Sequence, residues 1–407
     1  MMRPRLLACV GLLVAAGSTR AAAQAGPGLT EEAAVALARR HNPDLAVARL
    51  TVDSARGQRR AFREYPNPMF AVTPGTPTQY GVTLPIDVGP QRSARSRIGA
   101  LGVDAAGWDV RDADRQVTLL VRRAWYDVLL ADERHRISEA RRATVRQLAT
   151  ADSLRVRAGD LAPRALARSQ VELALAEADA VRTRVAAQQA RLTLESVIGV
   201  APNDTALTLA GALAYRPVHP PADAGVAQRI DARPDIAGAR ARAEQSLAAR
   251  SLARAALLPI PTLSYVRQRS APFESGRYYA FGVGVEIPVL NLYGGERQRA
   301  EAGVQAATVA ESRVRLAAER DARIALAELH AQTGLVESYE GGVLARTTAS
   351  VEAARYAYER GATSLLELLD ALRAQQDVRN DYASALHDYW IAVRNVEAQL
   401  GVALAPE

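Results

Sequence analysis

Residues 163–198 read PRALARSQVELALAEADAVRTRVAAQQARLTLESVI. Uncharged side chains recur in this stretch every seven residues in two interleaved series. One is Leu166, Leu173, Ala180, Ala187 and Leu194; the other is Ser169, Ala176, Thr183, Ala190 and Val197. Such a heptad predicts a helix in a coiled coil, and its small seam residues let a partner helix approach closely. Pro163 stands at the first turn, where proline starts a helix well. Upstream, from Pro90 to Arg157, no further proline occurs and apolar and charged residues alternate at helical spacing. At ~1.5 Å per residue this predicts a helix on the order of 100 Å long. Residues 291–360 match it. Gly159 and Gly361 punctuate tight helix-to-helix turns. Two long α-hairpins follow.

The chain is written twice. Pro43-Asp44-Leu45 recurs as Pro234-Asp235-Ile236, and Pro66-Asn67-Pro68 as Pro259-Ile260-Pro261. Leu84-Pro85-Ile86 recurs as Ile287-Pro288-Val289. Arg157-Ala158-Gly159 returns as Glu359-Arg360-Gly361, and Ile198-Gly199-Val200 as Leu400-Gly401-Val402, at one shared offset. A constant length suits continuous helix, where an insertion would rotate every later side chain. The proline-rich stretch 201–231 reads as the linker between a first repeat, 24–200, and a second, 232–402, with a tail at 403–407. Each repeat opens on a helix pair, broken at His41-Asn42-Pro43 in the first, then has two short strands, a very long helix and a medium one. The strands are expected near 69–73 and 79–88 in the first half. Tyr80, Val82, Leu84, Ile86 and Val88 alternate there with Gln79, Gly81, Thr83, Pro85 and Asp87. In the second half Tyr279, Phe281, Val283, Val285, Ile287 and Val289 alternate with Tyr278, Ala280, Gly282, Gly284, Glu286 and Pro288. Period two is the strand signal. About 10 residues, apolar on one side and small or polar on the other, suit a tilted strand between lipid and water. A soluble hairpin packed on a helix would show the same alternation.

Composition narrows the class. The chain has 407 residues, 49% hydrophobic, 23% charged and only 5% aromatic, so it is not disordered and is poor in the bulky groups of globular cores. All 51 basic residues are arginine, and the formal charge is +7. Arginine is interleaved with Asp and Glu throughout, so the excess reads as solvated helix faces and no nucleic-acid partner is implied. Arg3 and Arg5, the apolar stretch 6–16 and Ala21-Ala22-Ala23 form a signal peptide over 1–23. The single cysteine, Cys9, lies within it, so the mature chain has no thiol and no cysteine metal site. His41, His135, His219, His330 and His387 are scattered without metal spacing. No nucleophile elbow, P-loop or complete dinucleotide fingerprint is present, so neither an enzyme nor a cofactor or metal site is expected.

These parts assemble in one way. A long helical hairpin has no globular core and must pack laterally on copies. Four strands cannot close a membrane barrel, whose smallest members have about 8, and an open sheet edge is not tolerated in lipid. Several chains sharing one barrel and one helical tube solve both problems. The helices alone would also suit a periplasmic coiled-coil scaffold without a pore.

The chain resembles the TolC family of outer-membrane efflux proteins, and within it the heavy-metal, CzcC-like branch. The resemblance covers essentially all of the mature chain. It rests on the duplicated helix–strand–strand–helix plan, Asn42-Pro43-Asp44-Leu45, Leu258-Pro259, and Gly282-Val283-Gly284-Val285 leading to Ile287-Pro288. The hairpin turn from Tyr358-Glu359-Arg360-Gly361 to Leu369-Asp370-Ala371 is its most specific mark. The resemblance implies a homotrimer with a shared 12-stranded barrel in outer-membrane lipid and a tube reaching through the periplasm. It implies docking of a periplasmic adaptor and an inner-membrane pump of the RND type, for metal-ion, drug or protein export. It places Glu367 and Asp370 at a constriction of the periplasmic mouth, with Tyr358 beside it. A family arginine two residues after the glycine is Thr363 here, which departs from the usual closing network. Gly159, Asp160, Leu161, Gly361, Ala362, Thr363, Ser364 and Leu365 are the expected adaptor contacts at the hairpin tips.

Overall fold

The structure is a computed structural model, and it describes residues 28–75, 77–201, 208–220, 226–268 and 278–404. The signal segment lies outside the described residues. The chain is mainly helical with one small sheet. Helix α1 (Glu31–His41) and α2 (Pro43–Ala61) precede β1 (Met69–Thr73) and β2 (Gln79–Pro85); α3 (Pro90–Ala158) and α4 (Pro163–Ile198) form the first hairpin. Helix α5 (Val226–Asp231) and α6 (Pro234–Ala255) precede β3 (Pro261–Gln268) and β4 (Tyr278–Val285); α7 (Gly294–Ser338), α8 (Leu344–Glu359) and α9 (Leu365–Leu400) complete the second half. No described helix is long and apolar enough to cross a membrane.

The sheet is antiparallel in the order β1-β2-β3-β4, so β2 and β3 join the two repeats. The register places Phe70, Val72, Tyr80, Val82, Leu84, Leu263, Tyr265, Tyr279, Phe281 and Val283 on one face, with Arg267 between Tyr80 and Tyr279 at one end of it. Tyr265 lies 5.2 Å from Phe281, ring centre to ring centre. Phe281 and Val283 are 78% and 74% exposed, which an aqueous surface would not favour for a contiguous apolar face. Thr262, Ser264, Gly282 and Gly284 occupy the other face. A Cβ at Gly282 or Gly284 would come 2.7 Å from the hydroxyl of Ser264 or Thr262, so glycine lets the two strands keep these polar partners. The strands are shorter than the alternation suggests: β2 ends at Pro85 and β4 at Val285. Proline lacks the ladder's N–H; Pro85 is the last residue of β2, Pro261 the first of β3, and Pro288 follows three residues after β4.

The break between α1 and α2 has a local cause. The Asn42 side-chain oxygen accepts from the backbone N–H of Asp44 and Leu45 at 2.9 and 3.2 Å, capping α2, and Pro43 takes its first turn. Its amide donates to Val197 O at 2.8 Å, tying the break to the end of α4. Gly199 closes α4 with φ +86°, and a Cβ there would meet His41 O at 2.5 Å. In the second half Arg233 precedes α6, clasps Asp235 and reaches Gln399 near the end of α9, so the same join is made with different chemistry.

The main core lies where α1, α3, α5, α7 and α9 meet. Tyr126 and Trp390 stack at 5.7 Å beside a buried charge network. Arg394 donates to Glu31 at 2.6 Å and to Glu397 at 2.9 Å; Arg122 donates to Glu397 at 2.7 Å. Trp390 Nε1 donates to Ala214 O at 3.0 Å, and Tyr389 OH to Arg216 O at 2.7 Å. The stretch around 214–216 is therefore strapped to the core, and α5 also falls inside 201–231.

The long helix of the second half differs from the spacing at its start and in its middle. The expected run 291–360 starts at Gly294 and is interrupted by a π-helical turn at Tyr339–Val343. Gly342 has φ +131°, which a side chain would resist, and Tyr382 OH donates to Glu340 across the turn at 2.7 Å.

His387 on α9 bridges to α3. Its Nε2–H donates to Asp127 at 2.8 Å and its Nδ1–H to Asp388 at 2.9 Å. Burial by itself depresses the imidazolium, but the two carboxylates outweigh it and raise the pKa above the ordinary 6.5. The contribution is fully present below that ordinary value and is lost as pH rises through the raised one. His387→Gln is expected to cost about 1 kcal/mol at pH 6, with the deficit shrinking by pH 9. Thermal unfolding of both proteins across that range checks it, and a pH-independent deficit would refute it.

Candidate functional site

Both hairpin tips are built by the same backbone device. Helix α3 ends in Gly159 at φ +84°, whose N–H bonds to Val156 O at 3.1 Å, while Asp160 N–H reaches Arg155 O at 2.9 Å. Helix α8 ends at Glu359, two residues before Gly361 at φ +71°, and Ala362 N–H reaches back to Ala357 O at 2.8 Å. Helix α9 then starts with a side-chain N-cap. Ser364 Oγ accepts from Glu367 N–H at 3.3 Å, and the Glu367 carboxylate accepts from the Thr363 hydroxyl.

The tip residues divide by exposure. Gly159, Asp160, Gly361, Ala362 and Ser364 are exposed, and Leu161 and Thr363 are half-buried. Leu365 is buried with Leu368, Leu369 and Leu372, so it supports the tip from inside and offers no surface to a partner. Glu367 and Asp370 come together on one exposed face of α9, three residues apart.

Tyr358 is not on that face. Its ring is buried in the same leucine cluster, and its hydroxyl donates to Asp152 on α3 at 2.7 Å. Asp152 is fully buried. Burial and the neighbouring carboxylate push the Tyr358 hydroxyl up to about 12, so it remains a donor at physiological pH. This bond ties the first hairpin to the second just above the tips.

Further up, Glu172 of α4 is buried between Arg141 of α3, at 3.5 Å, and Arg373 of α9. Arg141 also donates to Gln376 at 2.6 Å, and Gln376 donates to Asp179 at 3.0 Å. Arg373 holds Asp370 at 3.3 Å, so the exposed acidic face is linked to the clasp between the hairpins. Sequence reading missed Asp152, Glu172, Arg141 and Arg373. Glu172 carried a signal: it is charged yet sits between Ser169 and Ala176 of the heptad seam.

The chain's lateral edges are open. Helices are neighbours in the order α2, α3, α6, α7 and in the order α4, α3, α9, α8, with α7 also packed on α9. Helices α2 and α4 thus share one edge with β1; α7 and α8 share the other with β4. The expected seam of α4 is buried or half-buried throughout. On the opposite face Val171, Ala174, Ala178, Val181, Val185, Gln188 and Leu192 form a second, uncharged heptad row, and every one of them is exposed. Gln188 is the single polar side chain in it. This row has no partner among the described residues, and edges of one kind complement edges of the other by rotation.

Residues 226–402 match the outer membrane efflux protein family. The chain is 27% identical over 389 residues to the cobalt-zinc-cadmium resistance protein CzcC of Cupriavidus metallidurans, covering 93% of this chain and 91% of that one. Its fold is similar to the CusC channel, with TM-score 0.78, 20% identity and 91% of each chain covered. It is similar also to the CmeC outer membrane channel of Campylobacter jejuni, with TM-score 0.79, 14% identity and coverage of 91% and 85%. The open-state MtrE channel of Neisseria gonorrhoeae gives TM-score 0.76 at 20% identity, with coverage of 92% and 89%.

Proposed function

We propose that this chain is an outer-membrane efflux channel protein extending into the periplasm and that it works as a passive homotrimeric duct. The observation that carries this reading is the coincidence of edges: one side of the chain leaves a strand and two helices open, and the other side does the same. Three copies joined head to tail close twelve strands in outer-membrane lipid and the helices into a tube. The first 23 residues direct export and are removed, and the repeats 24–200 and 232–402 build the two walls of each protomer. The exposed tips dock a periplasmic adaptor, which connects the duct to an inner-membrane pump of the RND type. Glu367 and Asp370 from three chains ring the periplasmic mouth, attracting cations and repelling anions. Tyr358 supports that mouth from inside by holding the hairpins together.

Light scattering of the purified protein, corrected for detergent, is expected to give a mass near three chains. A monodisperse single chain that is soluble without detergent would overturn the duct. In planar bilayers Glu367→Ala with Asp370→Ala is expected to lower cation preference and weaken block by divalent cations about tenfold. Unchanged conductance and block would remove these residues from the gate while leaving the duct standing.

A further inference from the structure

The four strands carry a single charged side chain among them, Arg267 of β3. The register sets it opposite Tyr80 of β2 on one side and Tyr279 of β4 on the other. All three side chains are exposed and stand on the apolar face of the sheet. Their height on that face follows from the path of the chain. The strand ends at Met69, Pro85, Pro261 and Val285 connect to helices, while Gln79, Gln268 and Tyr278 stand at the ends away from them. Arg267 is one residue from the far end of β3, about 20 Å along the strand from Pro261. With the helices in the periplasm, this row stands at the outer leaflet.

An arginine in that place calls for an anion. Its guanidinium stays charged, and its cost on a lipid-facing strand falls steeply from the bilayer midplane to the interface. No carboxylate pairs with Arg267 among the described residues, and neither tyrosine hydroxyl has a hydrogen-bond partner among them. Residues opposite each other on antiparallel strands stand about 5 Å apart, so a phenolic O–H donor flanks the guanidinium on each side. The planar guanidinium fork matches the oxygens of a phosphate. The next rows on the same face are apolar: Val82, Tyr265 and Phe281, then Leu84, Leu263 and Val283. They suit acyl chains, which a free phosphate ion lacks.

We propose that Arg267, flanked by Tyr80 and Tyr279, binds the phosphate of a phosphorylated lipid in the outer leaflet, an inference that rests on the duct reading. The test uses the purified full chain in mild detergent, with diphosphoryl lipid A as probe and the same lipid without its phosphates as control, and measures bound lipid by native mass spectrometry. Saturable binding of the diphosphoryl form is expected, about tenfold tighter than that of the control. Arg267→Gln is expected to remove this preference, and Arg267→Lys to keep part of it, since lysine retains the charge without the fork. Light-scattering mass, circular dichroism and planar-bilayer conductance report whether each variant keeps its assembly, fold and pore. Equal affinity of the unaltered protein for the two lipids would overturn the lipid site. So would an undiminished preference in correctly assembled Arg267→Gln protein, or displacement of the lipid by inorganic phosphate at equal concentration. A conducting trimer with any of these results leaves the duct standing. A monodisperse single chain that is soluble without detergent and binds neither lipid would overturn the duct and the lipid site together.

Discussion

Replacing both Val181 and Val185 by glutamate is expected to abolish the proposed trimer, and all conductance with it. These side chains are 50% and 45% exposed in the single chain and make up the middle of the unpartnered α4 heptad. Within one protomer the change costs little, because a carboxylate on an exposed helix face stays hydrated and glutamate is a good helix former. Across a closed seam the same carboxylates would be buried without partners. Each such group carries a penalty of several kcal/mol, and a threefold assembly repeats it at every interface. Circular dichroism is expected to match the unaltered protein, while light scattering falls to the mass of one chain. A stable trimer in the double variant would show that this row faces water or lumen, and that the protomers join elsewhere.

The second large effect is expected at the tip of the second hairpin. Gly361→Trp should abolish efflux while the protein still reaches the outer membrane. Nothing lies within 4 Å of a Cβ built on Gly361, so an indole there has room within its own chain and projects outward. Its φ of +71° strains any other residue by about 1–2 kcal/mol, small against the stability of a large assembly. Gly361→Asn separates the two effects, since asparagine tolerates the left-handed region and carries little bulk. The asparagine variant is expected to keep most efflux and the tryptophan variant to lose it, with equal amounts of both in outer-membrane fractions. Normal efflux by the tryptophan variant would remove the tip from the docking surface.

Much of this architecture is legible in residue order because its periods are local. The heptad in 163–198 reports α4, the two-residue alternation around Val82 and Val283 reports β2 and β4, and Gly159 and Gly361 report the turns. Each signal lies within a few residues of the element it describes. The candidate constriction was legible only in part. Glu367 and Asp370 share a face because they are three apart on a helix, whereas Tyr358 meets Asp152 across 206 residues of chain. No spacing rule connects such a pair.

Residue order alone settles the duplicated plan, the helix and strand types and the turn positions, since backbone periodicity and glycine's reach into positive φ are local properties. Which face of α4 serves its own chain is a matter of tertiary packing. Residues 163–198 contain two uncharged heptad rows, and either could have met α3. Packing against α3 buries one and leaves Val171 to Leu192 open for another copy. Likewise only packing turned Tyr358 inward to Asp152, bent the α7–α8 run at Gly342, and set Arg267 between Tyr80 and Tyr279. These outcomes depend on where distant segments meet, and that is settled by burying apolar surface across the whole chain.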